Sequence, residues 1–419
     1  MHILFLSDNF LPETNAPASR TFEHCREWVK AGHKVTVITC VPNFPTGKVF
    51  AGYRNKLWQK EDMDGIHVIR VWSYISANEG FLKRAIDYVS YMITAIFAAL
   101  FVRKVDIVIG TSPQFFTACA AYIVGAYKRV PFVFELRDLW PESIKAVGAM
   151  RPGRLLRVLE HLELFLYRRA AKIICVTHSF KQVLIMRGID PKKISVVTNG
   201  VDLQRFSPRE KDTQLVSDLG LSGKFVAGYI GTHGMAHALE TVLEAAKLIQ
   251  DHPNGAQFRI LLLGDGAKKN DLIAKAKELK LNNILFLDTV SKDEVAQYWG
   301  LLDTAIIHLR RTKLFEAVIP SKLFECMGMG IPVLHGVFGE SAEIVRKYDV
   351  GLVFEPQNAA QLCTHLLDLY AHRDRYDTLR QNCIQAAPDF DRLTLAQQLL
   401  ISLQTLVNDK HEQVHSPIP

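Results

Sequence analysis

Several protein classes are excluded by what this sequence lacks. Its seven cysteines are scattered and form no CxxC pair, which argues against a disulfide framework or a zinc site and for buried, reduced thiols. No HExxH, GxGxxG or P-loop pattern occurs, so neither a zincin metal centre nor a standard dinucleotide or NTP loop is expected. There is no low-complexity tract and no repeat of solenoid length. No RRM, KH or helix-turn-helix signature is present, so no nucleic-acid partner is expected. The opening MHILFLS has no basic n-region and turns polar at once. It is expected to be a buried strand and not a signal peptide. Residues 81–106 carry no charge from Tyr88 to Val102, a stretch of 15 residues, against the roughly 20 that span a bilayer.

What is present points to a two-domain α/β protein. A chain of 419 residues exceeds one ordinary core, so two domains are expected. Residues 1–203 hold 27 Lys/Arg against 17 Asp/Glu, and residues 204–419 hold 23 against 26. A basic half beside an acidic half predicts that one half meets an anionic surface or a phosphate-bearing substrate. The charge-free stretch in 81–106 is flanked by Lys83, Arg84, Arg103 and Lys104. It reads either as a helix buried on a sheet or as one whose outer face touches anionic lipid.

Apolar, β-branched runs such as HILFL, KVTVIT, DIVIG, FVAGYI and RILLL alternate with segments of helical length, the pattern of parallel sheets covered on both faces. The turn-forming NGVDLQRFSPRE divides two such series. The expected domains are 1–203 and 204–388, with a C-terminal helix over 389–410 able to pack back on the first.

In open α/β sheets the ligand lies at the carboxyl ends of the strands, so the motifs there matter most. In PSKLFECMGMGIPVL, Ser321 is expected to cap a short helix, whose free N–H groups with Ser321 and Lys322 suit a phosphate. Glu325 sits among Leu323, Phe324, Cys326 and Met327. A carboxylate in such surroundings needs donors, which either the protein or a ribose diol can supply. In GYIGTHGMAHALE, glycines 228, 231 and 234 precede a helix. The turn either serves packing alone or approaches a phosphate, with Thr232, His233, Gly234 and His237 in reach. Gly264 opens a similar turn in LLLGDGAKKN. His178 and His308 are further candidates, and no pattern supports a metal ligand set. In the first half, FELRDLWPES ends a strand on Arg137 and Asp138, followed by Trp140. These charges either form a site or only pin a loop. The loop SDNFLPETNAPASR lies at the same edge and contains Asn15 and Arg20.

Taken together, these motifs resemble the retaining glycosyltransferases of family 4. The resemblance runs over nearly the whole chain and rests on NGVD with Phe206 and Pro208, on the GDG turn, and on PSKLFECMGMGIPVL. RDLWPES and GTHGMAHALE look like a bacterial subgroup, the N-acetyl-L-fucosamine transferases of O-antigen and capsule synthesis. The resemblance implies the GT-B fold, two Rossmann-like doubly wound domains facing across a cleft. It implies transfer of an N-acetylated amino sugar, with retention, from a UDP-sugar to a polyprenyl-diphosphate-linked saccharide. The setting it implies is the inner face of the plasma membrane, with no cofactor or metal. Asp138 and Arg137 then become catalytic candidates, with Arg20 and Trp140 on the acceptor side. Asn15, Thr232, His233, Gly234, His237, Gly264, Arg310, Ser321, Lys322, Leu323 and Glu325 become donor contacts, Glu325 on the ribose. The chain departs from the family pattern at Ala317, where Glu316 is one residue off the first motif acid, and after the glycine turn, where the usual Arg and Lys are missing. A UDP-sugar 2-epimerase and a non-catalytic UDP- or glycan-binding protein are the alternatives.

Overall fold

The computed structural model describes the chain except residues 14, 45, 76–80, 113, 140–152, 292 and 416–419, and leaves aside the side chains of 81–82 and 409–415. The chain forms two compact units, residues 1–198 with 392–419, and residues 199–391.

The first unit contains strands β1 (His2–Leu6), β2 (Lys34–Cys40), β3 (Trp58–Met63), β4 (Ile66–Val71), β5 (Ile107–Thr111), β6 (Phe132–Leu136), β7 (Lys172–Cys175) and β8 (Ile194–Val196). Its helices are α1 (Ala16–Lys30), α2 (Phe81–Leu100), α3 (Phe115–Lys128), α4 (Arg154–Arg169) and α5 (His178–Met186). The sheet order is β3-β4-β2-β1-β5-β6-β7-β8. All pairings are parallel except β3 with β4. β1 and β5 are buried along their whole length, as expected for parallel strands covered on both faces. The strand β3 was not expected from the sequence. WQKEDM is polar and lies at the sheet edge, where a charged strand discourages pairing with another chain.

The second unit contains α6 (Thr213–Asp218), β9 (Phe225–Ile230), α7 (Glu240–Gln250), β10 (Phe258–Leu263), α8 (Lys269–Glu278), β11 (Ile284–Leu287), α9 (Val295–Gly300), β12 (Thr304–His308), α10 (Lys313–Glu316), α11 (Lys322–Met329), β13 (Val333–Gly336), α12 (Glu340–Tyr348), β14 (Gly351–Val353), α13 (Ala359–Ala371) and α14 (Arg373–Ala386). Its sheet, β11-β10-β9-β12-β13-β14, is parallel throughout.

Helix α15 (Arg392–His415) belongs to the first unit. It is held on α1 by the Trp28 indole N–H, which donates to the Ala396 carbonyl at 2.9 Å, and by the Arg392–Glu23 ion pair at 2.6 Å. Leu395, Leu399 and Leu403 complete that contact in the core; each buried leucine contributes about 1.5–3 kcal/mol.

The order of strands places the site. In the second unit β9 lies between β10 and β12, so the chain direction switches at β9/β12, and the crevice at the carboxyl ends of those strands is where such folds bind ligands. The first unit switches at β1/β5 in the same way.

Candidate functional site

Two glycine turns interlock at the switch point of the second unit. Gly231 follows β9 with φ +141°, and Gly264 and Gly266 follow β10 with φ +144° and +154°. Only glycine adopts such backbone readily. A Cβ on Gly264 would overlap the Gly231 carbonyl, and one on Gly266 would come within 2.6 Å of the His233 carbonyl. The His233 N–H donates to Asp265 O at 2.8 Å and the Lys268 N–H to His233 O at 2.9 Å. Gly264 is thus needed for backbone-to-backbone contact, whatever else it meets.

The missing side chain at Gly231 makes room for Lys322, the first residue of α11. The Lys322 ammonium donates to the Tyr229 hydroxyl at 2.8 Å and lies 4.0 Å from the ring centroid. Tyr229 in turn donates to the Thr232 carbonyl at 2.9 Å. Desolvation pushes the Lys322 pKa down to about 8, against the opposing pull of Glu325. Among the described residues Lys322, one turn back, is a cation that feels the Glu325 charge.

His233 is fully buried, and both of its ring nitrogens lack a hydrogen-bond partner among the described residues. Desolvation, then Lys269 and Lys322, lower its pKa to about 4. Desolvation and Lys322 bring His237 to about 4 as well. Both imidazoles are neutral at pH 7 and can offer a ring N–H without a charge. His308 has a framework role. It is buried, its Nδ1–H donates to His237 O at 2.8 Å, and its Nε2 accepts from the Gln357 N–H at 2.9 Å. Arg310 follows β12, its N–H bonded to Ala236 O at 2.8 Å and its side chain exposed.

The start of α11 differs from expectation. Ser321 has helical angles (φ −58°, ψ −26°) and its hydroxyl makes no cap bond, since capping needs an extended residue there. Leu323 is a core residue, 0 % exposed, with its N–H given to Pro320 O at 3.0 Å; neither its side chain nor its N–H is available to a donor. Glu325, in the first turn, is half-buried. A cavity of about 550 Å³ opens at the amino-terminal edge of this unit's sheet beside Lys211, Tyr376 and Arg380, and holds none of these residues.

The carboxyl edge of the first unit is organised differently. The N–H groups of Arg137 and Asp138, just beyond β6, both point at the Ser112 hydroxyl, at 2.7 and 3.3 Å. Desolvation lowers the Arg137 pKa to about 10, with Glu135 opposing it. Arg20 is corrected from an acceptor contact to a structural clamp. It is 3 % exposed, its Nε pairs with Glu135 at 3.1 Å, and its remaining nitrogens donate to the carbonyls of Thr198 (2.6 Å) and Val197 (3.0 Å). Asn15, half-buried, is engaged by its own loop and helix. Its Oδ1 caps α1 by accepting from Ala18 N at 2.9 Å, and its amide nitrogen donates to Asn9 at 2.7 Å. Trp140 lies outside the described residues.

The comparisons with known proteins agree with the fold. Residues 18–205 match the Glycosyltransferase Family 4 model and residues 224–372 the Glycosyl transferases group 1 model. The chain belongs to the GT-B glycosyltransferases. The WcaI protein of Escherichia coli (strain K12), a glycosyl transferase assigned to colanic acid biosynthesis, is 25 % identical to this glycosyltransferase over 79 % of the chain and 82 % of its own length. An E. coli UDP-Gal:α-D-GlcNAc-diphosphoundecaprenol α-1,3-galactosyltransferase is 33 % identical over 47 % of this chain and 50 % of its own. The structure of Anabaena Alr3699/HepE in complex with UDP has the same fold, with a TM-score of 0.71 at 17 % identity, covering 97 % of this chain and 100 % of that one.

Tyr229 of the glycosyltransferase, which carries Lys322, was not among the expected site residues. It reads as an ordinary apolar residue inside a strand, and only the fold brings position 322 onto it. The acids Asp8, Glu13 and Asp87 of the first unit also went unnoticed. Burial pushes the carboxyls of Asp8 and Asp87 up, and Asp87 and Glu13 add to the shift at Asp8.

Proposed function

We propose that the enzyme transfers a sugar, an N-acetylated amino sugar such as N-acetyl-L-fucosamine, from a UDP-sugar to a polyprenyl-diphosphate-linked saccharide, with retention, in the synthesis of O-antigen, capsule or related surface polysaccharide. The second unit holds the donor. Glu325 accepts from the ribose hydroxyls. Lys322, the N–H groups of Ser321 and Lys322, His237 and Arg310 face the diphosphate, with Thr232, His233 and Gly234 beside it. As the C1–O bond to the diphosphate breaks, negative charge grows on the leaving UDP. The Lys322 and Arg310 cations and the neutral imidazole donor at His237 stabilise that charge, the form of catalysis that rests on preorganised donors. With cations in these places the diphosphate needs no metal. The first unit holds the acceptor, where Arg137 positions the sugar and Asp138 assists removal of the hydroxyl proton. The work takes place at the cytoplasmic face of a membrane.

One observation carries this reading. Beside the glycine turns, His233 is buried with both ring nitrogens unpartnered, and Lys322 is desolvated at a helix start. Leaving such groups without a ligand is costly. The galactosyltransferase relative, whose name specifies UDP-Gal and a diphosphoundecaprenol-linked GlcNAc, and the UDP complex of Alr3699/HepE are consistent with it.

The test incubates the protein with a panel of UDP-sugars and undecaprenyl-diphosphate-linked monosaccharides, read by mass spectrometry, with the anomeric configuration of any product assigned by NMR. The expected result is one acceptor-dependent product with the donor's configuration. Conversion of UDP-GlcNAc without any acceptor would establish the 2-epimerase instead. UDP binding with no turnover of any donor would reduce the protein to a binding module.

A further inference from the structure

Helix α2 is apolar on both faces. Its inner face, Tyr91, Ala95, Ala98 and the following Val102, is buried, and the Tyr91 hydroxyl donates to Ile38 O at 2.8 Å. The outer face should then be polar on a soluble sheet-covering helix. Instead Ile93 is 58 % exposed, Phe97 59 %, and Phe101 just beyond the helix 61 %. α2 packs beside α3, and α3 beside α4, so the three form one layer. The exposed apolar surface continues along it through Tyr127 (68 %) on α3 and Val158 (61 %) on α4. Among the described residues, this layer with Phe101 carries ten of the 17 large apolar side chains that are well exposed. The remaining helices of the first unit contribute two, Met186 and Ile401. Single exposed apolar residues need no explanation, but a concentration on one face does.

The charges of the same layer are one-sided. Over residues 83–106, 115–130 and 153–170, nine Lys/Arg are exposed, including Lys83 and Arg84 at one end of α2 and Arg103 and Lys104 at the other. No Asp or Glu of these segments is exposed, since Asp87, Asp106 and Glu160 are half-buried and Glu163 is buried. At the Arg103 end an aromatic cluster adds to the surface. Trp58 meets Phe101 at 5.9 Å, Phe101 meets Phe97 at 5.2 Å, and the Lys60 ammonium lies 5.7 Å from the Trp58 ring centroid.

We propose that the α2–α3–α4 layer docks the enzyme on an anionic lipid bilayer, with Phe97, Phe101, Tyr127 and Val158 at the acyl boundary and the Lys/Arg set on lipid phosphates. This names the partner surface of the lipid-linked reaction and rests on that reading. Apolar side chains between cations, with aromatics near the rim, are the composition of an interfacial surface that lies on a membrane. Among the described residues no helix is long and apolar enough to cross one. A second copy of the chain is a poor occupant, because face-to-face pairing would set nine cations against nine.

The experiment is co-sedimentation of the full chain with vesicles free of any saccharide acceptor, made either of phosphatidylcholine alone or with phosphatidylglycerol. Binding is expected to the anionic vesicles only and to weaken about tenfold or more at high salt. Arg103→Glu with Lys104→Glu should weaken it about tenfold, and Phe97→Ser with Phe101→Ser by a similar factor. Met186→Ser with Ile401→Ser should leave it unchanged. All six positions are exposed, so circular dichroism and UDP calorimetry should match wild type. Equal sedimentation of wild type and the 103/104 or 97/101 variants overturns the proposal. So does a dimer, seen by light scattering without lipid, that the 97/101 variant dissociates. UDP binding without vesicle binding would sink the docking surface alone, whereas vesicle binding without UDP binding would sink the donor site alone.

Discussion

The two units share a parallel, doubly wound architecture, yet the carboxyl edges of their sheets use charge in opposite ways. In the first unit the buried arginine is consumed internally. Arg20 is held by Glu135 and two carbonyls, and Arg70 by Glu61 and the carbonyls of Cys40 and Leu11. Burial pushes the Glu135 carboxyl up, but Arg20, Arg137 and the bonds from Thr111 and Arg20 bring it below its usual value. In the second unit the same edge carries, among the described residues, an imidazole at His233 with no partner on either nitrogen and an ammonium at Lys322 that donates to the Tyr229 hydroxyl. An arginine bonded through every nitrogen fixes a loop, whereas a buried imidazole without a partner is open to a ligand that completes its hydrogen bonds.

Three measurements bear on that contrast. The largest effect is expected at Arg20→Ala, which leaves Glu135 charged and buried. Stability to urea should fall by about 3–5 kcal/mol, the usual cost of breaking a buried pair, while the surviving folded protein binds UDP normally. A variant as stable as wild type would show that the Arg20–Glu135 pair does not hold the first unit's edge together. Next comes Glu325→Ala. Loss of charged hydrogen bonds to ribose should weaken UDP binding by about 1.5–3 kcal/mol, roughly 10- to 100-fold, with an unchanged unfolding midpoint. Wild-type affinity in calorimetry would remove Glu325 from the ribose.

The smallest effect is a pH dependence. An anion needs Lys322 protonated, and in the empty protein its pKa is about 8. UDP affinity should therefore fall as pH rises through 8, by up to about tenfold per unit, and Lys322→Met should flatten the profile. The sign of the stability change follows from the same depression. Between about 8 and the usual 10.5 the folded chain binds fewer protons than the unfolded one at this site, so the empty protein gains stability as pH rises across that window. A pH-independent affinity in wild type would place the diphosphate away from Lys322.

Most of the framework was legible in the residues. HILFL, KVTVIT, DIVIG and FVAGYI are strands because long β-branched runs have nowhere to go but a sheet buried on both faces. The polar β3 was not legible, since at an edge the pattern that identifies a strand is deliberately diluted with charge. Arg20 and Asn15 show the same limit at the site. A polar residue in a loop at the right edge looks identical whether it faces a ligand or its own backbone. Ser321 shows it again, because whether a serine caps depends on a backbone angle that neighbours decide.

The sequence alone determined the alternation of strands and helices, the two-domain scheme, the glycine turns and the helix that begins at Lys322, because periodicity and local backbone preference act over a few residues. Tertiary structure alone decided which polar groups are spoken for. It set Tyr229 under Lys322, 93 positions apart, and Glu135 against Arg20 across 115. It also gathered the exposed apolar faces of α2, α3 and α4 into one layer. Desolvation and pairing are properties of a place in space, and chain order does not encode which distant side chain will share it.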